Sequence, residues 1–120
     1  SCVLVSRVTG EKTFVSLDNI VEEVGAMLDK VHSELYNRAL ENLQTKLNTA
    51  HNYDEFLDIA ENKPGFIRAM WCGDLECELK MKELADVTSR CMPFGEDACG
   101  DKCICCGKPA TKLLYWGKAY

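Results

Sequence analysis

Two cysteine pairs constrain this chain more than anything else in it. Cys72 and Cys77 stand in WCGDLEC, and Cys103 and Cys106 stand in KCICCGKPA. Zinc takes four soft or borderline ligands in a tetrahedron, and thiolates suit it. Cys-x-x-Cys puts two sulfurs on one side of a tight turn. Gly107 directly after Cys106 lets the backbone fold round and aim N–H groups at a sulfur, and Pro109 stiffens the exit. The wider Cys72–Cys77 spacing, with Gly73 and a helical pattern from about Asp74, reads as one ligand in a turn and one in the first turn of a helix. The positive end of that helix is expected to favour thiolate at Cys77. Together the pairs predict one four-thiolate zinc site, Cys72, Cys77, Cys103 and Cys106.

Other uses of these thiols are weighed against it. Eight cysteines is an even number, which a disulfide framework requires. Disulfides belong to oxidising compartments, and no secretory segment is visible. A thioredoxin-like pair at Cys103 and Cys106 wants a helix after the motif, and Gly107-Lys108-Pro109 starts a helix poorly. Cys2, Cys91, Cys99 and Cys105 read as buried or free thiols. Cys105 competes with Cys106; the three-residue offset of Cys106 from Cys103 closes a knuckle more easily.

A length of 120 residues suits one domain, or a domain plus an arm. Net charge is −5, against a dedicated nucleic-acid module, which is usually basic. From Lys102 onward, however, four lysines stand with no acid. No apolar run approaches the roughly 20 residues of a membrane span. The start at Ser1, followed at once by a strand, reads as a piece of a longer protein.

Residues 2–6 and 12–15 predict a hairpin turning at Gly10, marginal without further sheet partners. Leu17, Ile20, Val21, Val24, Met27, Leu28, Val31 and Leu35, continuing through Leu40, Leu43 and Leu47, recur at steps of three and four. They predict a long helix over about 17–47, a strut between domains. His32 within it reads as an exposed side chain. Asn52 and Glu55 have capping-box spacing and open a short helix, which Pro64-Gly65 ends. Strands are predicted over 66–71, 88–94 and 112–119, a helix over 75–84, and a polar loop over 95–111 that the metal tethers. Strands separated by helices imply a small two-layer α/β (α+β) domain with a mixed sheet.

The chain carries no Gly-rich phosphate loop, Gly-x-Ser-x-Gly elbow or His-Glu-x-x-His. Four cysteines make a closed, structural site, so the residues point to a folding staple and to no catalytic residue.

TGEK, the long helix after it, FIRAMWCGDLECELKMKE, SRCMPF and KCICCGKPATKLLYWGKAY together resemble the C-terminal part of prolyl-tRNA synthetases of the archaeal and eukaryote-like type. The resemblance runs over essentially the whole chain. It implies that residues 1–15 end an anticodon-binding domain, 16–48 form a connecting helix, and 49–120 form a zinc-binding α/β domain. It puts the family's ligands on Cys72, Cys77, Cys103 and Cys106, with Cys105 a departure from its pattern. The implied full enzyme is a cytoplasmic class II ligase that activates proline with ATP and Mg and attaches it to tRNA(Pro). It is a homodimer through a catalytic domain that this fragment lacks. The fragment itself is expected to be catalytically inert, to buttress the upstream catalytic and anticodon-binding domains, and to shape that interface through Tyr120. Two alternatives stand beside it: a free-standing zinc-ribbon-like interaction module that dimerises through its long helix, and a thiol-redox protein using Cys103 and Cys106.

Overall fold

The structure, a computed structural model, describes residues 1–119. The expectation for Tyr120 lies outside the described residues. The chain divides into two compact units, Ser1–Asn42 and Leu43–Tyr120.

In the first unit, β1 (Cys2–Val5) pairs antiparallel with β2 (Lys12–Val15), with Cys2 opposite Val15 and Val3 opposite Phe14. The turn closes on Ser6, which is fully buried; its backbone N–H donates to the Glu11 carbonyl and its own carbonyl accepts from Gly10. Gly10 has φ +76°, a conformation that glycine adopts without a Cβ penalty. Ser16 Oγ accepts from the Asp18 backbone N–H and caps a 3-10 turn over Leu17–Asn19, which leads into α1 (Ile20–Thr45). Val3, Val5 and Phe14 stay exposed along one face of the hairpin, and Val21, Leu28 and Leu35 stay exposed along the helix. No residue of α1 is buried.

The second unit holds a four-stranded mixed sheet in the order β3-β4-β6-β5. Its elements in chain order are β3 (Leu47–Thr49), α2 (Tyr53–Asn62), β4 (Phe66–Trp71), α3 (Leu75–Ala85), β5 (Val87–Cys91) and β6 (Lys112–Lys118). β3 and β4 are parallel and joined through α2; β4 and β5 are joined through α3 and lie on either side of β6, which is antiparallel to both. Two successive crossovers in the same direction put both helices on one face, given the usual right-handedness. The core agrees: Phe56 and Ile59 of α2 and Met81 of α3 pack with Ile67, Ala69, Leu114 and Trp116 of the sheet. The expected small two-layer α+β class with a mixed sheet is therefore what the chain forms.

The apolar repeat predicts helix through Leu47, but α1 ends at Thr45 and Leu47–Thr49 form β3. Three residues carry no legible strand pattern. They are held by pairing with β4, including a bond from the Phe66 backbone N–H to the Lys46 carbonyl at 3.0 Å. Gly65 makes that approach possible. Its φ is +107°, and a Cβ there would lie 2.0 Å from the Lys46 carbonyl oxygen. Gly65→Ala is expected to destabilise the second unit by more than about 1 kcal/mol, since both the backbone conformation and the clash are incompatible with a side chain. An unchanged urea midpoint would count against this close approach.

At α2, Asn52 Oδ1 accepts from the Glu55 backbone N–H at 2.8 Å, the cap that the spacing predicts, while the Glu55 carboxylate reaches back to the His51 backbone N–H, one residue before the cap. The segment 92–111 has no strand or helix of its own, only an isolated bridge between Lys102 and Pro109. Glu96 pins it to the sheet, accepting from Arg68 at 3.5 Å and from the Tyr115 hydroxyl. Burial and the neighbouring Glu96 carboxylate push the Tyr115 hydroxyl up to about 12.

Candidate metal centre

The site forms where β4 runs out, where α3 begins, and where the unstructured segment returns to the sheet. Trp71 ends β4, and Cys72 follows it directly. Gly73, at φ +94°, turns the chain toward α3. Asp74 caps that helix by accepting from the Glu76 backbone N–H at 3.0 Å, so Cys77 stands in its first turn, buried. Trp71 braces the turn: its indole N–H donates to the Asp74 carbonyl at 2.9 Å, and Lys112 Nζ sits 5.7 Å from its ring centre.

The second pair is carried by a backbone knuckle. Cys103 N–H donates to the Lys108 carbonyl at 2.8 Å, Gly107 N–H donates to the Cys103 carbonyl at 3.0 Å, and Gly107 has φ +73°. One further bond, from the Ile104 backbone N–H to the Met70 carbonyl at 2.9 Å, fastens the knuckle to β4 two residues before Cys72. That bond, with Ile104 buried in the core and Cys103 and Ala110 packed against Met70 and Cys77, brings the pairs together.

The sulfurs of Cys72, Cys77, Cys103 and Cys106 all lie within 4.8 Å of one another. Bonds of about 2.3 Å from zinc to sulfur, at tetrahedral angles, set sulfur–sulfur separations of about 3.8 Å. Cys72 to Cys77 is 3.7 Å, and Cys72 to Cys106 is 3.8 Å. A disulfide needs about 2.0 Å, and all eight cysteines are free thiols. The donor set and its spacing thus fit a metal ion bound by four thiolates. Cys105 is not in the cluster; it is partly buried, packed against both groups of core residues. Cys2 and Cys99 are also partly buried, Cys91 is exposed, and His32 is exposed on α1.

The electrostatics correct one expectation. Cys77 does stand at a helix start, yet burial, followed by the sulfurs of Cys106 and Cys72, pushes its thiol far above the ordinary range. One helix end cannot offset desolvation and crowding by other sulfurs. At Cys72 the Asp74 backbone N–H lowers the pKa, but burial and the sulfurs of Cys103 and Cys106 leave it raised. Burial acts on Cys103 as well, but the backbone N–H groups of Cys106, Cys105 and Cys72 bring it down to about 7. The knuckle thus favours thiolate at Cys103, while Cys72 and Cys77 give up their protons only to a cation.

The model of a family described as "Prolyl-tRNA synthetase, C-terminal" matches residues 53–120, from α2 onward. A protein named proline–tRNA ligase from Agathobacter rectalis is 55% identical over 120 residues, covering 99% of this chain and 25% of that protein. Proline–tRNA ligases from Clostridium novyi and Lachnospira eligens are 52% and 50% identical over 118 residues, each covering 98% of this chain and 25% of the relative. The chain spans about a quarter of the length of these curated relatives. Among the described residues, no helix is long and apolar enough to cross a membrane.

Proposed function

Because the chain belongs to the prolyl-tRNA synthetase C-terminal family, we propose that it is the C-terminal structural domain of a proline–tRNA ligase, a metal-stapled buttress with no catalytic residue of its own. The observation that carries this reading is the set of four sulfurs within 4.8 Å of one another, gathered from two separate segments, with Cys72 and Cys106 34 residues apart in the chain. Zinc is the metal, held by Cys72, Cys77, Cys103 and Cys106. Four protein thiolates fill a tetrahedron and leave no position for water or substrate, so the ion supplies folding free energy and no chemistry on a substrate.

The parent enzyme activates proline with ATP and Mg and attaches it to tRNA(Pro) in the cytoplasm, as a homodimer through its catalytic domain. Those steps belong to the part of the protein ahead of this chain. Residues 1–15 end the anticodon-binding domain, 16–48 connect, and 49–120 form the metal-binding domain. The exposed Val3, Val5 and Phe14 support the first assignment, because a two-stranded hairpin is marginal without sheet partners. Neither the free-standing module nor the thiol-redox reading gains support from relatives that are proline–tRNA ligases.

The test uses the full-length enzyme. About one zinc per chain is expected, with thiols unreactive until a chelator is added and aminoacylation falling as the metal leaves. Unaltered kinetics after deletion of 49–120 would remove the buttress role. Metal affinity also carries a pH signature. Cys72 and Cys77 are both raised above the usual thiol value, so both are protonated at neutral pH in the metal-free site. Each must lose its proton to bind, so affinity weakens as pH falls, by about tenfold per pH unit per such thiol. Cys103, brought to about 7, also takes up protons across this window, so metal affinities at pH 6 and pH 7, corrected for the chelator's own protonation, should differ by more than about a hundredfold; equal affinities would rule out displacement of these protons.

A further inference from the structure

A groove of about 830 Å³ opens in the second unit, away from the sulfur cluster, between the end of α2, the start of β4, β5 and the end of β6. Its floor is apolar, with Ala60, Ile67 and Val87 already part of the packed core. Gly117 keeps it open: a Cβ there would come within 3.3 Å of the Phe66 ring and of Arg90 Nε. Its rim is cationic, with Lys63, Arg90 and Lys118 drawn from three separate segments and Glu61 the lone acid. Arg90 is held in place, donating through Nη2 to the Lys118 carbonyl at 2.9 Å and the Gly117 carbonyl at 3.4 Å. Lys63 and Lys118 make no ion pair among the described residues. A net positive rim is a local reversal in a chain of net charge −5.

We propose that this groove seats a segment of the same polypeptide, from the part ahead of residue 1, that presents an apolar side chain to the floor and a carboxylate to Lys63 and Lys118. The inference rests on the reading of this chain as the C-terminal domain of a longer enzyme and adds the surface by which it engages the rest. Three observations select this occupant. The relatives are about four times as long as the chain, and the family is described by its C-terminal position, so most of such a protein precedes the matched stretch. Attachment through the chain gives an effective concentration of about millimolar, so one modest groove suffices where a separate partner would need a larger interface. The concave apolar floor and the overall negative charge disfavour RNA, which is bound through phosphates on broad basic surfaces.

The test is zero-length carbodiimide cross-linking of the full-length enzyme, which joins a lysine amine to a carboxylate in direct contact. Peptides are read by mass spectrometry on a mixture of isotopically light and heavy chains. The expected result is a single-isotope link from Lys63 or Lys118 to an Asp or Glu ahead of residue 1, lost in the K63A/K118A double variant. A link that also appears as mixed-isotope pairs, once light and heavy subunits have exchanged, would assign the groove to a second copy and overturn the proposal. So would lysines that gain protection from acetylation only when tRNA is added, or the absence of any link beyond residues 1–120. If the link is absent while deletion of 49–120 still depresses aminoacylation, the groove assignment fails and the buttress reading stands. If the link is present and the deletion is silent, the reverse holds.

Discussion

Cys77→Ser is expected to abolish stoichiometric metal binding and to unfold the second unit at temperatures where the parent chain is intact. Cys77 is buried among three other sulfurs, and a serine oxygen there is a hard, neutral donor that cannot replace a thiolate. The consequence is large because the segment 92–111 forms no helix or strand of its own, only turns and an isolated bridge around the knuckle. Its ordering entropy has to be offset by the tether, and structural zinc sites contribute on the order of 10 kcal/mol or more of apparent folding free energy. Metal content and thermal unfolding measured on the same sample check this, with Cys91→Ser as the control. Cys91 is exposed and outside the cluster, so its replacement should leave both unchanged. Equal metal content in the two variants would remove Cys77 from the ligand set.

Trp116→Ala is expected to cost about 3–5 kcal/mol, the range for truncating a large buried aromatic side chain. Trp116 is wholly buried on β6, beside Ile67 on one flank and Ser89 on the other, and meets Phe56 of α2 edge-on at 6.0 Å. It therefore joins three strands and a helix at one point. Its indole N–H has no hydrogen-bond partner among the described residues. Trp116→Phe consequently forfeits volume and no polar contact, and should be clearly milder than the alanine variant. Chemical denaturation of the two variants decides it: equal losses would mean that the alanine variant leaves no cavity.

The sequence and the structure part company where long-range pairing takes over from local pattern. β1, β2 and β4 were legible because short apolar runs were punctuated by Gly10 and Pro64-Gly65. β3 was not, because Leu47–Thr49 are strand only through their pairing with β4. The cysteine spacings marked two pairs. The bond from Ile104 to Met70 that helps join them has no sequence signal; the union of the pairs rested on zinc's need for four ligands, on the need to tether a loop and on the resemblance. The predicted effect of the helix end on Cys77 was outweighed because burial and neighbouring sulfurs are tertiary facts. The groove was invisible, since its lysines, arginine and glycine lie on three separate segments and read singly as solvated surface or punctuation.

The strand order has a consequence for synthesis. β6 lies between β4 and β5 although it is the last of the three to be made. A ribosome that stalls or terminates before residue 112 releases a chain in which β5 has no partner on either side and β4 has one bare edge. Such edges recruit other chains. The topology therefore separates chains made with β6 from chains made without it: only synthesis through β6 pairs both edges of β4 and gives β5 a partner, and a chain stopped earlier exposes the backbone that recruits other chains.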